Sequence, residues 1–177
     1  MELTKTEGGV CAPKGFKANG VYCGIKKPAA DNQNPAVPHK NDLGMIVSDT
    51  QCVCAAVYTT NKVKGAPILV TKHNLEKTGN CAKAVIVNSK NANTCNADGV
   101  EKAEKMCALA AGELGIKPEE IIVASTGVIG QILPIEPIEK AIKPLVSGLS
   151  NTGNEAAATA IMTTDTIKKE YAVEFNA

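Results

Sequence analysis

Apolar residues in the second half of the chain recur at helical spacing, and short unbroken apolar runs lie between those stretches. Val100, Ala103, Cys107, Ala110 and Leu114 follow at steps of three and four and make one face of a helix, with Glu101, Lys102, Glu104 and Lys105 mainly on the other side. Asp98 stands where it can cap the first turn, with Glu101 in the capping-box position and Gly115 ending the pattern. A second stripe, Ile135, Ile138, Ile142 and Leu145, opens after Pro134, with Pro144 disturbing its last turn. Asn154 is placed to cap a third helix over 155–161.

Short segments rich in β-branched residues and bounded by turn residues predict strands over 45–47, 52–58 and 67–71. Residues 84–87 and 121–124 are apolar throughout, as in strands buried on both faces. Residues 8–27 read as a glycine-rich loop leading into a strand, and 170–175 as a further strand-like piece close to the last residue, Ala177. Residues 28–41 hold three prolines and three asparagines without periodicity, and predict a surface insertion. The order of elements gives an α/β chain with a β-richer first half, either one domain over 1–177 or the N-terminal part of a larger protein. A chain ending on an incipient strand looks cut short.

Composition narrows the chemistry. At 44% hydrophobic and 21% charged residues the chain is an ordinary globular one, not a disordered one. Its formal charge is +1 and every one of its 19 cations is lysine, so neither a strong basic field nor the guanidinium fork of phosphate and base recognition is available. Five aromatics (Phe16, Tyr22, Tyr58, Tyr171, Phe175) give no stacking platform for bases. Nucleic acid is excluded as a partner on these grounds. No apolar run approaches the roughly 20 residues of a membrane helix, and the N-terminus lacks the apolar middle of an export signal. The seven cysteines then read as reduced thiols of a cytoplasmic protein. Cys52 and Cys54, on one strand face, read as small apolar side chains, because neither His39 nor His73 has ligand spacing to a cysteine. No metal is expected, and the lysine pairs 26–27 and 168–169 read as solvated.

Three segments carry candidate chemistry. Ala124-Ser125-Thr126-Gly127-Val128-Ile129-Gly130 leaves a buried strand with two glycines, so backbone N–H groups can converge there on an oxyanion or phosphate. The same pattern serves a tight strand-to-helix turn whose glycines answer only to backbone geometry. Asn88-Ser89-Lys90-Asn91-Ala92-Asn93-Thr94 also leaves a strand end, either as amides for a polar substrate or as a loop held by its own Asx bonds. Met162-Thr163-Thr164-Asp165-Thr166 offers hydroxyls and a carboxylate after the third helix, as a recognition patch or as a plain helix-ending loop.

Taken together, GGVCAPKGFKANGVYCGIK, VYTTNKVKGAPILV, VIVNSKNAN, IIVASTGVIGQ and AIMTTDTIKK resemble, in this order and over nearly the whole chain, the ornithine acetyltransferases, also called glutamate N-acetyltransferases. The resemblance implies a layered α-β-β-α fold of mixed sheets with flanking helices, similar to the N-terminal-nucleophile aminopeptidases. It implies a precursor that cleaves itself before a threonine into α and β chains, which remain together as an α2β2 assembly. That threonine would carry acetyl from N-acetylornithine to glutamate by a ping-pong route in cyclic arginine biosynthesis, its own amine acting as base. No cofactor is implied, although some members also take acetyl from acetyl-CoA. Thr126 and Gly127 match the oxyanion-stabilising pair, and Thr163 matches a substrate-contacting threonine.

Three departures accompany the resemblance. The glycine-rich stretch and Ala-Thr junction that bear the nucleophile do not occur in the sequence, so the chain is read as the α part, inactive without the β part, with Ala177 not the cleavage point. Lys90 stands where the family usually has glycine, and 28–41 is longer than the usual connection. Two alternatives remain at this level: a non-catalytic α/β small-molecule binding domain of the same descent, and an N-terminal-nucleophile amidohydrolase.

Overall fold

The computed structural model describes residues 2–26 and 39–176, so the insertion expected over 28–41 lies outside the described residues as far as position 38. Strands β1 (Thr4–Thr6), β2 (Phe16–Val21) and β3 (Leu43–Val53) come first, with a 3-10 turn over Gly9–Cys11 between β1 and β2. Helix α1 (Ala66–Lys77), β4 (Cys81–Asn88), α2 (Gly99–Leu114), β5 (Ile121–Ser125), α3 (Ile135–Ser147), α4 (Asn154–Ile161) and β6 (Ala172–Glu174) follow.

The main sheet runs β2-β3-β4-β5. Its first two pairings are antiparallel, and β4–β5 is parallel with Asn88 beside Ser125. The register of β3 on β4 slips between Val47 and Cys52, which lets the polar stretch 48–51 leave regular pairing. One face carries Leu43, Met45, Ala84, Ile86, Ile121 and Val123 into a core closed by Val70 of α1, Met106 of α2, and Ile138 and Leu145 of α3. On the other face α4 lays Ala157 against Ala18 and Ile46. That contact is backbone-close: a Cβ on Gly20 would stand 2.0 Å from the Ala156 carbonyl oxygen, so only glycine fits. The mixed α/β class and the helix-flanked sheet are as the sequence implies. The last strand, β6, finds its partner in β1, which the sequence pattern did not show.

Several local expectations are corrected. Residues 67–71 form the start of α1 and not a strand, with Pro67 in the first turn, where its missing N–H costs nothing. This helix closes an edge of the sheet with side chains. The Thr71 hydroxyl donates to the Val123 carbonyl at 2.8 Å and accepts from the Val123 N–H at 3.0 Å, and Asn74 Nδ2 donates to the Ile121 carbonyl at 3.0 Å. A short apolar run could not announce those contacts. The strand expected over 52–58 stops at Val53, and Cys52 and Cys54 are half-buried rather than core residues. On α2 the buried face turns toward Met106 and Ala111, leaving Val100 exposed; Asp98 precedes the helix but makes no side-chain cap. Helix α3 keeps its four-residue stripe buried and runs through Pro144 to Ser147. Asn154 is the first residue of α4, not its cap, and its amide donates to Glu170 Oε1 at 2.7 Å.

Candidate active site

The parallel pair β4–β5 delivers two chain exits side by side. Beyond Asn88 the loop of amides is buried and spends its side-chain N–H donors internally. Asn88 Nδ2 donates to the Asn91 carbonyl at 2.9 Å, Asn91 Nδ2 to that of Gln131 at 2.9 Å, and Asn93 Nδ2 to that of Gly99 at 2.8 Å. The Asx-held loop, not the substrate-binding one, is the reading that fits these amides. Lys90 alone breaks the pattern: it is exposed, with φ at +79°, in the left-handed region that costs an L-residue roughly 1–2 kcal/mol.

That scaffold grips the neighbouring turn. The Thr126 N–H donates to the Asn88 carbonyl at 3.0 Å, and the Val128 N–H to the Lys90 carbonyl at 3.0 Å, and these bracket Gly127. Gly127 has φ at +134°, and a Cβ there would stand 2.2 Å from the Lys90 carbonyl carbon. The glycine therefore answers to geometry, as the plainer reading of the motif had it. The same geometry frees its N–H: no hydrogen bond among the described residues uses the Gly127 N–H or the Thr126 hydroxyl. Two donors from adjacent residues remain unspent on a rigid turn.

Thr126 and Gly127 line an open cleft of about 540 Å³ together with Val128, Thr163, Thr164, Lys26 and Lys90. The cleft thus brings together all three residues singled out in the sequence. Thr163 follows α4 and is exposed; its N–H donates to Asp165 Oδ2 at 3.3 Å. The Lys169 ammonium, with the Thr163 N–H, holds the Asp165 carboxyl below the usual carboxylate range. Among the described residues two cationic side chains and no carboxylate line the cleft, which suits an anionic ligand group.

Neither Lys26 nor Lys90 is among the site residues expected from the sequence. Lys26 is no solvated lysine: it is half-buried, and its Nζ donates to the carbonyls of Asn41 and Met162, each at 2.7 Å. Burial lowers its pKa, against the pull of nearby Asp42. Nothing in a Lys-Lys pair signals this, since both partners are far away in sequence. Lys168 is likewise partly buried, between Glu155 and Glu170, each at 3.8 Å. Neither His39 nor His73 lines the cleft, and all seven cysteines are free. Among the described residues no three His, Cys, Asp or Glu side chains are grouped to hold a metal ion, and no helix is long and apolar enough to cross a membrane.

The profile of the ArgJ family matches residues 17–177. An arginine biosynthesis bifunctional protein ArgJ from Dehalococcoides mccartyi is 41% identical over 96% of this chain, and that of Bacillus anthracis 43% over 97%. The chain spans only 39% and 40% of the length of these two relatives. A crystal structure of the ArgJ protein of Bacillus halodurans matches with a TM-score of 0.82 at 37% identity, covering 94% of this chain and 82% of that one. The ornithine acetyltransferase of Mycobacterium tuberculosis, solved in complex with ornithine, matches with a TM-score of 0.80 at 32% identity, covering 94% and 85%. Sequence and fold agree along almost the whole chain, and on that agreement the chain belongs to the ArgJ family.

Proposed function

We propose that the chain builds the oxyanion and substrate walls of an acetyltransferase that moves acetyl from N-acetylornithine to glutamate in arginine biosynthesis. The observation that carries this reading is the convergence of Thr126, Gly127 and Thr163 on one cleft, with the Thr126 hydroxyl and Gly127 N–H unspent. The ornithine held by the Mycobacterium tuberculosis relative supports an amino-acid-sized ligand.

In this reading the acetyl carrier is the N-terminal threonine of a β portion that stays with this chain in an α2β2 assembly in the cytoplasm. Its hydroxyl oxygen attacks the acetyl carbonyl while its own amine takes the proton. The carbonyl π pair moves onto oxygen, and the Thr126 O–H and Gly127 N–H donate to that oxyanion. Collapse breaks the C–N bond, and the ornithine amine leaves with the proton. The amine of glutamate then attacks the acetyl ester by the same steps in reverse, which regenerates the threonine. Each preorganised donor in such a hole is worth roughly 10²–10³ in rate, because it meets full charge only in the transition state. Thr163 holds the substrate in ground and transition states alike. No cofactor takes part in this transfer, and acetyl-CoA enters only as an alternative acetyl donor.

The test is reconstitution. Residues 1–177 alone transfer no acetyl from N-acetylornithine to glutamate, and adding a β portion with an exposed N-terminal threonine starts turnover. Transfer by the isolated chain, or none in the reconstituted assembly, contradicts the reading.

A further inference from the structure

Lys26 lines the cleft but takes no part in the chemistry above. Its position is built from the buried side outward. Asp42 is fully buried immediately before β3, and its carboxylate accepts the N–H groups of Cys23 at 2.6 Å, Gly24 at 3.2 Å and Lys26 at 2.7 Å. Gly24, with φ at +101°, lets these donors converge on one anion, so the loop is wound around Asp42. Lys26 leaves this winding with its ammonium between two chain segments distant in sequence, donating to the Asn41 and Met162 carbonyls.

Met162 is the residue at which α4 ends: its ψ is 136°, so the chain turns there from helical to extended and enters Thr163. A cation on that carbonyl satisfies an acceptor the helix cannot and complements its negative end. Partial burial makes these charge-assisted bonds stronger than exposed ones. By contrast, Thr163 and Thr164 are exposed, and the ion pair that steadies their segment, Lys169 with Asp165, lies at the surface.

We propose that Lys26 is a positioning residue for the substrate wall of the cleft: by tying the exit of α4 to the start of β3 it fixes Thr163 relative to Thr126 and Gly127. It touches no reacting atom and acts through the Met162 carbonyl.

The test has two arms, of which only the kinetic one rests on the acetyltransferase reading. In the first, trypsin cleavage after Lys168 and Lys169 is followed in the 177-residue chain. Lys26→Met keeps the aliphatic length but no donor, and cleavage there speeds up about tenfold, while Lys26→Arg, which keeps two donors, stays near the wild-type rate. Lys26→Gln, polar but too short to span both carbonyls, shows the same acceleration and serves where the methionine variant does not fold. Wild-type cleavage rates in both Met and Gln variants overturn the proposal. In the reconstituted enzyme, Lys26→Met raises KM for N-acetylornithine about tenfold with kcat within about twofold, and arginine restores KM. A fall in kcat at unchanged KM overturns it as well. If the wild-type assembly transfers no acetyl, the acetyltransferase reading fails, and proteolysis alone decides on Lys26.

Discussion

The two walls of the cleft are built on opposite principles. The Thr126–Gly127 turn continues the parallel pair β4–β5, is bracketed by backbone bonds on both sides, and rests on buried amides. The Thr163 wall is a loop end, exposed, and tied down through Lys26 and the Asp165–Lys169 pair. The difference matches what each wall is asked to do. Donors that meet an oxyanion must be in place before charge develops, because reorganising them would cost what they gain. A wall that binds substrate equally well throughout can adjust.

Gly127→Ala breaks the rigid wall most severely. The added methyl meets the Lys90 carbonyl carbon at 2.2 Å and forces an L-residue into a left-handed backbone, so turnover is lost and urea unfolding shows a loss of roughly 3 kcal/mol. The alkaline limit of stability comes next. Burial first, then Asp42, pushes the Cys23 thiol from 9.0 up to about 12, and burial does the same to Cys107. Both folded values lie above the unfolded one, so the stabilisation is complete below pH 9 and drains away as pH rises toward 12, by about 1.4 kcal/mol per pH unit for each thiol. Lys26, lowered by burial, works the other way only below its ordinary 10.5. Chemical denaturation between pH 8 and pH 11 should therefore show falling stability, and Cys107→Ala should flatten the fall.

Thr163→Ala probes the adjustable wall and is milder. It raises KM roughly five- to tenfold at constant kcat, the value of about one hydrogen bond held in both ground and transition states. The smallest effect belongs to Lys90→Gly. Relief of the left-handed lysine, offset in part by added unfolded-state freedom, stabilises the chain by about 0.5–1 kcal/mol in urea unfolding.

What the sequence showed and hid follows from the range of the forces involved. The stripe of α3 was legible because burial there repeats at the period of the helix, and β5 because its apolar run is unbroken, although its burial alternates and leaves Ile122 and Ala124 only half-buried rather than enclosing both faces. Helix α1 was misread because its run of Ile68, Leu69 and Val70 suits a strand equally well, and what settles it is Thr71 and Asn74 bonding to β5 some 50 residues away. The ribbon of β1 and β6 joins the two ends of the chain, a pairing no local pattern encodes. At the site, Thr126 and Gly127 stood out because a strand exit with glycine is a local signal. Lys26 stayed hidden because its meaning lies in a carbonyl 136 positions further on.

Steady-state kinetics of Thr126→Ala in the reconstituted enzyme, with N-acetylornithine and glutamate varied in turn, test the central claim most directly. A hydroxyl that serves the oxyanion gives a kcat lower by roughly 10²-fold with KM little changed, and Thr126→Ser, which keeps the donor, restores most of the rate. An undiminished kcat in Thr126→Ala, or a loss confined to KM, contradicts the role assigned to this turn.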